Sequence, residues 1–138
     1  MSAVARPAIG GPTGRPAGAP GVIRVALAGP ATVRARLAAL LDSPLGARGV
    51  VVVAREERDA LLAAHVAEVG AEVLLLHAEP SDPEALAAVG EVRARTGVAV
   101  VVLSGAGATG VGALVKAGAR GVLPLNAGAA QVVAAVEA

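Results

Sequence analysis

The chain has 138 residues, a net charge of +1 from 12 basic and 11 acidic side chains, and a composition that is 55% hydrophobic without one Phe, Tyr or Trp. That is enough for one domain with a sizeable core of Val, Leu and Ala, and it excludes stacking of bases or cofactor rings on aromatic side chains. The balanced charge leaves no electrostatic footprint for nucleic acid; the lack of cysteine excludes disulfides, thiol catalysis and Cys-ligated zinc and fits a cytoplasmic protein; and no run of about 18 apolar residues offers a membrane span.

Met1 to Gly21 carries Pro7, Pro12, Pro16 and Pro20 in an Ala- and Gly-rich background. It lacks the apolar stretch of a secretory signal and is expected to be a disordered tail, residues 1–21, ahead of an ordered domain, residues 22–138. From there strands and helices alternate. Ile23 to Ala28 reads as a strand and Thr32 to Leu41 as a helix with Val33, Leu37, Leu40 and Leu41 as its apolar stripe. Gly49 to Ala54 is a Val-rich strand, and Glu56 to Val69 is expected to be a helix. Val73 to Leu76 is a strand, followed by a helix from Pro83 to Thr96, with Asp82 placed to cap it and Pro83 at its first position. Val98 to Leu103 is the most apolar strand. Gly110 to Ala117 reads as a short helix, Gly121 to Leu123 as a short strand and Ala127 to Glu137 as a closing helix.

The strands are continuous apolar runs rather than alternating ones, the mark of strands buried on both faces. Five strands and five helices in alternation predict an open, doubly wound α/β fold around a parallel sheet. Such sheets bind ligands at the carboxyl ends of their strands. The positions that matter are therefore Gly29 and Pro30, Arg55, His77 to Asp82, Ser104 to Gly110, and Pro124 to Asn126.

Val100 to Ala135 reads VVVLSGAGATGVGALVKAGARGVLPLNAGAAQVVAA, with AGARG (Ala117 to Gly121) ahead of the last strand. With the opening strand and helix, Ile23 to Ala28 and Val33 to Leu41, this resembles the receiver domain of two-component response regulators, most closely the LuxR-type branch that carries a C-terminal helix-turn-helix. The resemblance spans Val22 to Ala138 and implies a flavodoxin-like α/β fold, a doubly wound five-stranded parallel sheet, (βα)5, in strand order 2-1-3-4-5. It implies an acidic pair for Mg²⁺ after the first strand, a phosphoacceptor aspartate after the third, a hydroxyl after the fourth and a lysine after the fifth. Those positions fall on Gly29 and Pro30, on His77, on Ser104 and on Leu125. Only the hydroxyl is kept, and the one lysine, Lys116, is on another element. Mg²⁺ wants oxygen ligands in a near-octahedral shell. Without metal and lysine nothing neutralises the charge on a transferring phosphoryl group. The expectation is a degenerate receiver, not an enzyme, with no metal and no cofactor.

The remaining residues have competing readings. His77 is either a ligand-binding or pH-sensing group at the sheet mouth or a tolerated replacement bonded to a loop carbonyl, the reading favoured here. His65 reads as a surface or boundary residue of the second helix. Ser104 is either a ligand hydroxyl or the cap of the following loop. Glu79 reads as solvated. Gly105, Gly107 and Gly110, with Thr109 among them, match GxGxxG between a strand and a helix, so the loop is a candidate phosphate cradle. Against a dinucleotide site stand its place in the last βαβ unit, a helix of only about two turns and no acid between Gly110 and Glu137. Arg34, Arg36, Arg93 and Arg95 read as solvated. The expected function is dimerisation or docking to a protein partner that regulates transcription, with an attached or partner DNA-binding domain and no direct nucleic-acid contact. The resemblance implies the face of the fourth helix, fifth strand and fifth helix, here Val111, Leu114, Val115, Val122, Ala130, Val133 and Val136. The alternative is a sensor of an anionic metabolite or nucleotide at the mouth; a nucleotide-dependent enzyme using the glycine loop is the weakest of the three.

Overall fold

The computed structural model describes residues 23–42, 50–56 and 61–137; the predicted tail and residues 57–60 of the predicted second helix lie outside them. In chain order the elements are β1 (Ile23–Ala28), α1 (Ala31–Asp42), β2 (Val50–Glu56), α2 (Leu62–Glu68), β3 (Val73–His77), α3 (Pro83–Thr96), β4 (Ala99–Ser104), a 3₁₀ turn (Gly107–Gly110), α4 (Val111–Ala117), β5 (Gly121–Pro124) and α5 (Ala129–Glu137). Among the described residues five strands form one sheet in the order β2-β1-β3-β4-β5, and every pairing is parallel.

Burial on both faces creates this architecture. Successive strand side chains point to opposite sides of a sheet. Ala26, Ala28, Leu74, Leu76, Val100 and Val102 pack with Leu62 and Val66 of α2, Ala85, Val89 and Val92 of α3, and Leu114 of α4. The alternate residues Val25, Leu27, Val73, Leu75, Val101 and Leu103 pack with Leu37 and Leu41 of α1 and Val132 and Val136 of α5. So α1 and α5 cover one face and α2, α3 and α4 the other. Chain direction across the sheet reverses between β1 and β3, which opens a crevice beyond their carboxyl ends.

Local chemistry sets the element ends. Asp82 caps α3 by accepting from the Glu84 N–H at 3.0 Å, with Pro83 at the first position. Gly97 ends it in the left-handed conformation, its N–H bonded to the Arg93 carbonyl. Arginines brace other junctions: Arg24 donates to the Val69 and Gly70 carbonyls past α2, Arg120 to the Ala135 carbonyl in α5, and Arg36 to the Leu125 and Ala127 carbonyls.

Two expectations are corrected. Glu56 belongs to β2, not to a helix, because its parallel pairing continues opposite Ala28; the helix runs from Leu62. Arg36 is not merely solvated, since it clamps α1 to the loop before α5. Among the described residues no helix is long and apolar enough to cross a membrane.

Gly110 shows how tightly the strand-end loops pack. A Cβ there would lie 2.2 Å from Pro80 Cγ, while one at Gly112 would meet open space. Gly110→Ala is expected to destabilise the domain by about 1–3 kcal/mol through overpacking. Gly112→Ala, within α4, is expected to be neutral or stabilising by up to about 1 kcal/mol. Urea unfolding of the two variants checks the contrast; equal midpoints would contradict it.

Candidate functional site at the mouth of the sheet

Beyond β1 and β3 lies an open depression of about 410 Å³, lined by Gly29, Pro30, Ala31, Arg34, His77, Ala78, Glu79 and Asp82. Gly29 has φ +133°, and a Cβ on it would sit 3.0 Å from His77 Cβ. Backbone conformation and neighbour both require glycine where the first acid of the implied pair would stand. Pro30 opens α1, its carbonyl accepting from the Arg34 N–H at 3.0 Å. Neither residue brings a side-chain oxygen, and among the described residues no three His, Cys, Asp or Glu side chains converge as metal ligands. The residues present do not fit the magnesium site that the resemblance implies.

The centre of the site is Glu79. Its Oε1 accepts from Ser104 Oγ at 2.8 Å. The Gly105 N–H donates to Oε2 at 2.9 Å and to Oε1 at 3.2 Å. His77 Nε2 lies 3.0 Å from Oε2. The Gly105 N–H is the largest influence on the carboxyl and lowers its pKa; partial burial opposes it, and the bonds from Ser104 and His77 add to the lowering. The expectation that Glu79 is solvated is therefore corrected: two strand ends and a loop converge on it. His77 bonds to this carboxylate and not to a loop carbonyl.

Ser104, at the end of β4, is 3% exposed. Its hydroxyl donates to Glu79 and accepts from the Ala106 N–H at 3.0 Å, so it is engaged both as a loop cap and as a donor. Its carbonyl accepts from the Leu125 N–H at 3.1 Å. Leu125, at the implied lysine position, packs on the core between α1 and α5 and does not line the depression.

The glycine loop is no open cradle. Gly105 gives its N–H to Glu79, Thr109 Oγ1 donates to the Ala106 carbonyl of its own loop at 3.0 Å, and Gly107 to Gly110 form the 3₁₀ turn leading into α4. The structure thus gathers Gly29, Pro30 and His77 around the depression, reaches Ser104 and Gly105 through Glu79, and leaves Leu125 apart. Glu79, within the stretch His77 to Asp82 but read as solvated, is the residue whose role the sequence did not reveal. Its one signal is an acid two residues beyond a buried strand, in a loop facing Ser104.

No protein-family model matches the chain, and no curated protein matches it. Solved structures do. The signal receiver domain of the response regulator NarL from Mycobacterium tuberculosis superposes with a TM-score of 0.69 at 21% identity, covering 83% of this chain and 93% of that one. The chain has the receiver-domain fold. A LuxR-family two-component response regulator from Aurantimonas sp. gives 0.69 at 18% identity, over 84% of this chain and 83% of that one. A pilus assembly-related protein from Burkholderia pseudomallei gives 0.67 at 20%, over 85% and 88%.

The lowered pKa of Glu79 has a signed consequence. A carboxyl that is more acidic folded than unfolded contributes stability fully present above its ordinary range; that contribution is lost as pH falls through the folded-state value. At neutral pH Glu79→Gln is expected to cost about 1–2 kcal/mol, from weakened hydrogen bonds to a charged group that is about a third exposed. The gap between wild type and variant closes as the pH drops below the usual carboxylate range. Urea unfolding at pH 7 and pH 3 measures it; a gap that widens in acid contradicts the assignment.

Proposed function

We propose that this chain is a receiver-like domain that works without phosphotransfer, serving signal transduction or transcription regulation as a cytoplasmic docking or dimerisation module. The observation that carries the reading is the mouth itself. His77 stands where a phosphoacceptor carboxylate is implied, Gly29 is held in a backbone conformation that disfavours an acid, and the Ser104 and Gly105 donors already serve Glu79. An imidazole without metal or lysine beside it is poorly equipped to accept a phosphoryl group.

What remains to the domain is surface. Val111 and Val115 on α4 are 37% and 50% exposed; Ala130 of α5 is exposed, and Val122 and Val133 are partly so. Leu114 and Val136 leave the expected contact set, because both are buried against the sheet: the helical phase that turns Val111 and Val115 outward turns Leu114 inward. The edge strand β5 lies between α4 on one face and α5 on the other, so the outward residues form a rim for a second copy or for a partner, including an attached or separate DNA-binding domain. The anionic-metabolite sensor gains less support, because the donors it would use are engaged within the chain.

Two measurements test the proposal. Incubated with acetyl phosphate and Mg²⁺, the protein is expected to keep its intact mass; stoichiometric gain of a phosphoryl group would sink the reading. In sedimentation equilibrium, Val115→Glu is expected to raise the self-dissociation constant at least tenfold, about 1.4 kcal/mol. Equal association by wild type and variant would remove α4 from the interface.

A further inference from the structure

Convergent donors at the mouth of the sheet meet a single group. The Ser104 hydroxyl comes from the end of β4, the Gly105 N–H from the loop after it and the His77 ring from the end of β3, and all reach the Glu79 carboxylate at 2.8–3.0 Å. A hydroxyl and a backbone N–H aimed at one point favour an anion there. A glutamate is such an anion on a tether.

We infer that Glu79 is the resident anion of this site, a built-in latch that ties the β3–α3 turn to the β4–α4 loop and closes the site to free oxyanions. The turn that carries it is fixed by the Asp82 N–H donating to the Glu79 carbonyl at 3.0 Å. The next residue, Pro80, is packed so closely on Gly110 that no Cβ fits between them. Side chain and backbone thus fasten the same two loops at two points. A group held two residues from the strand end acts at an effective concentration of about millimolar or more, so a weakly bound free oxyanion is outcompeted.

The latch has reach. Gly110 leads directly into α4, which carries Val111 and Val115. Glu79 therefore sets the position of the proposed docking face; that consequence rests on the docking reading, whereas the latch does not.

Two readouts test it, neither of which involves self-association. By hydrogen exchange on the folded wild-type chain, the Gly105 amide is expected to exchange at least about tenfold more slowly than an unstructured glycine, and Glu79→Ala is expected to abolish that protection. Followed at the same amide at pH 7, inorganic sulfate is expected to leave wild type unmoved, to bind Glu79→Ala saturably, and to lose that binding in Glu79→Ala/Ser104→Ala. Free exchange at Gly105 in wild type overturns the latch whether or not the variant folds. So does equal protection in a folded Glu79→Ala, or sulfate binding that is equal in, or absent from, both chains. A protein that never dimerises but protects Gly105 sinks the docking reading and leaves the latch standing.

Discussion

Everything in this domain follows from burying β1, β3 and β4 on both faces with side chains no larger than leucine. Val25 to Ala28, Leu74 to Leu76 and Val100 to Leu103 have no exposed surface. Each fully buried Val or Leu contributes about 1.5–3 kcal/mol relative to exposure, so the sheet needs a helical layer on each side. Once both faces are covered, polar chemistry is confined to the rims, where strands end and backbone groups need partners. The arginine braces belong to the same logic: Arg24, Arg36 and Arg120 supply donors to carbonyls that lie beyond the regular ladders.

Ser104 is where the buried sheet meets the rim. It continues β4 by one residue past the apolar run, and its hydroxyl is almost fully enclosed. A buried hydroxyl left without a partner costs about 1–3 kcal/mol. Glu79 removes that cost, and Ser104, Gly105 and His77 in turn stabilise its ionised form. Glu79 is the shared partner, so removing it leaves the Ser104 hydroxyl and the Gly105 N–H without their acceptor.

The fold was readable where one local rule acted alone. Asp82, Pro83 and Gly97 mark the ends of α3 by capping chemistry, and the apolar runs Val25 to Ala28, Val73 to Leu76 and Ala99 to Leu103 within β1, β3 and β4 announce two-sided burial. Reading failed where tertiary pairing overrode local polarity. Glu56 looks like a helix start, yet the parallel ladder carries it on opposite Ala28. The rim of α4 was legible as an apolar segment but not in its rotation, which separates exposed Val115 from buried Leu114. At the site, the departures at Gly29, Pro30, His77 and Leu125 were visible as residue types. Glu79 was not, because a lone acid in a loop looks the same in sequence whether its side chain turns to water or back over the strand ends.

The departures at the mouth are physically coupled. Gly29 and His77 are neighbours across the strand ends, and the φ of +133° at Gly29, with its missing Cβ 3.0 Å from the histidine, leaves no room for an acid while both backbones stay as they are. His77 in turn directs its Nε2 at Glu79, which holds Ser104 and Gly105. Placing a carboxylate at either strand end would add negative charge close to Glu79 and, at Gly29, backbone strain. Single substitutions toward a metal-binding pocket therefore meet opposition from a network already satisfied without one. The mouth is a closed set of mutual requirements, and beside it Pro80 packs against Gly110, the residue that leads into α4.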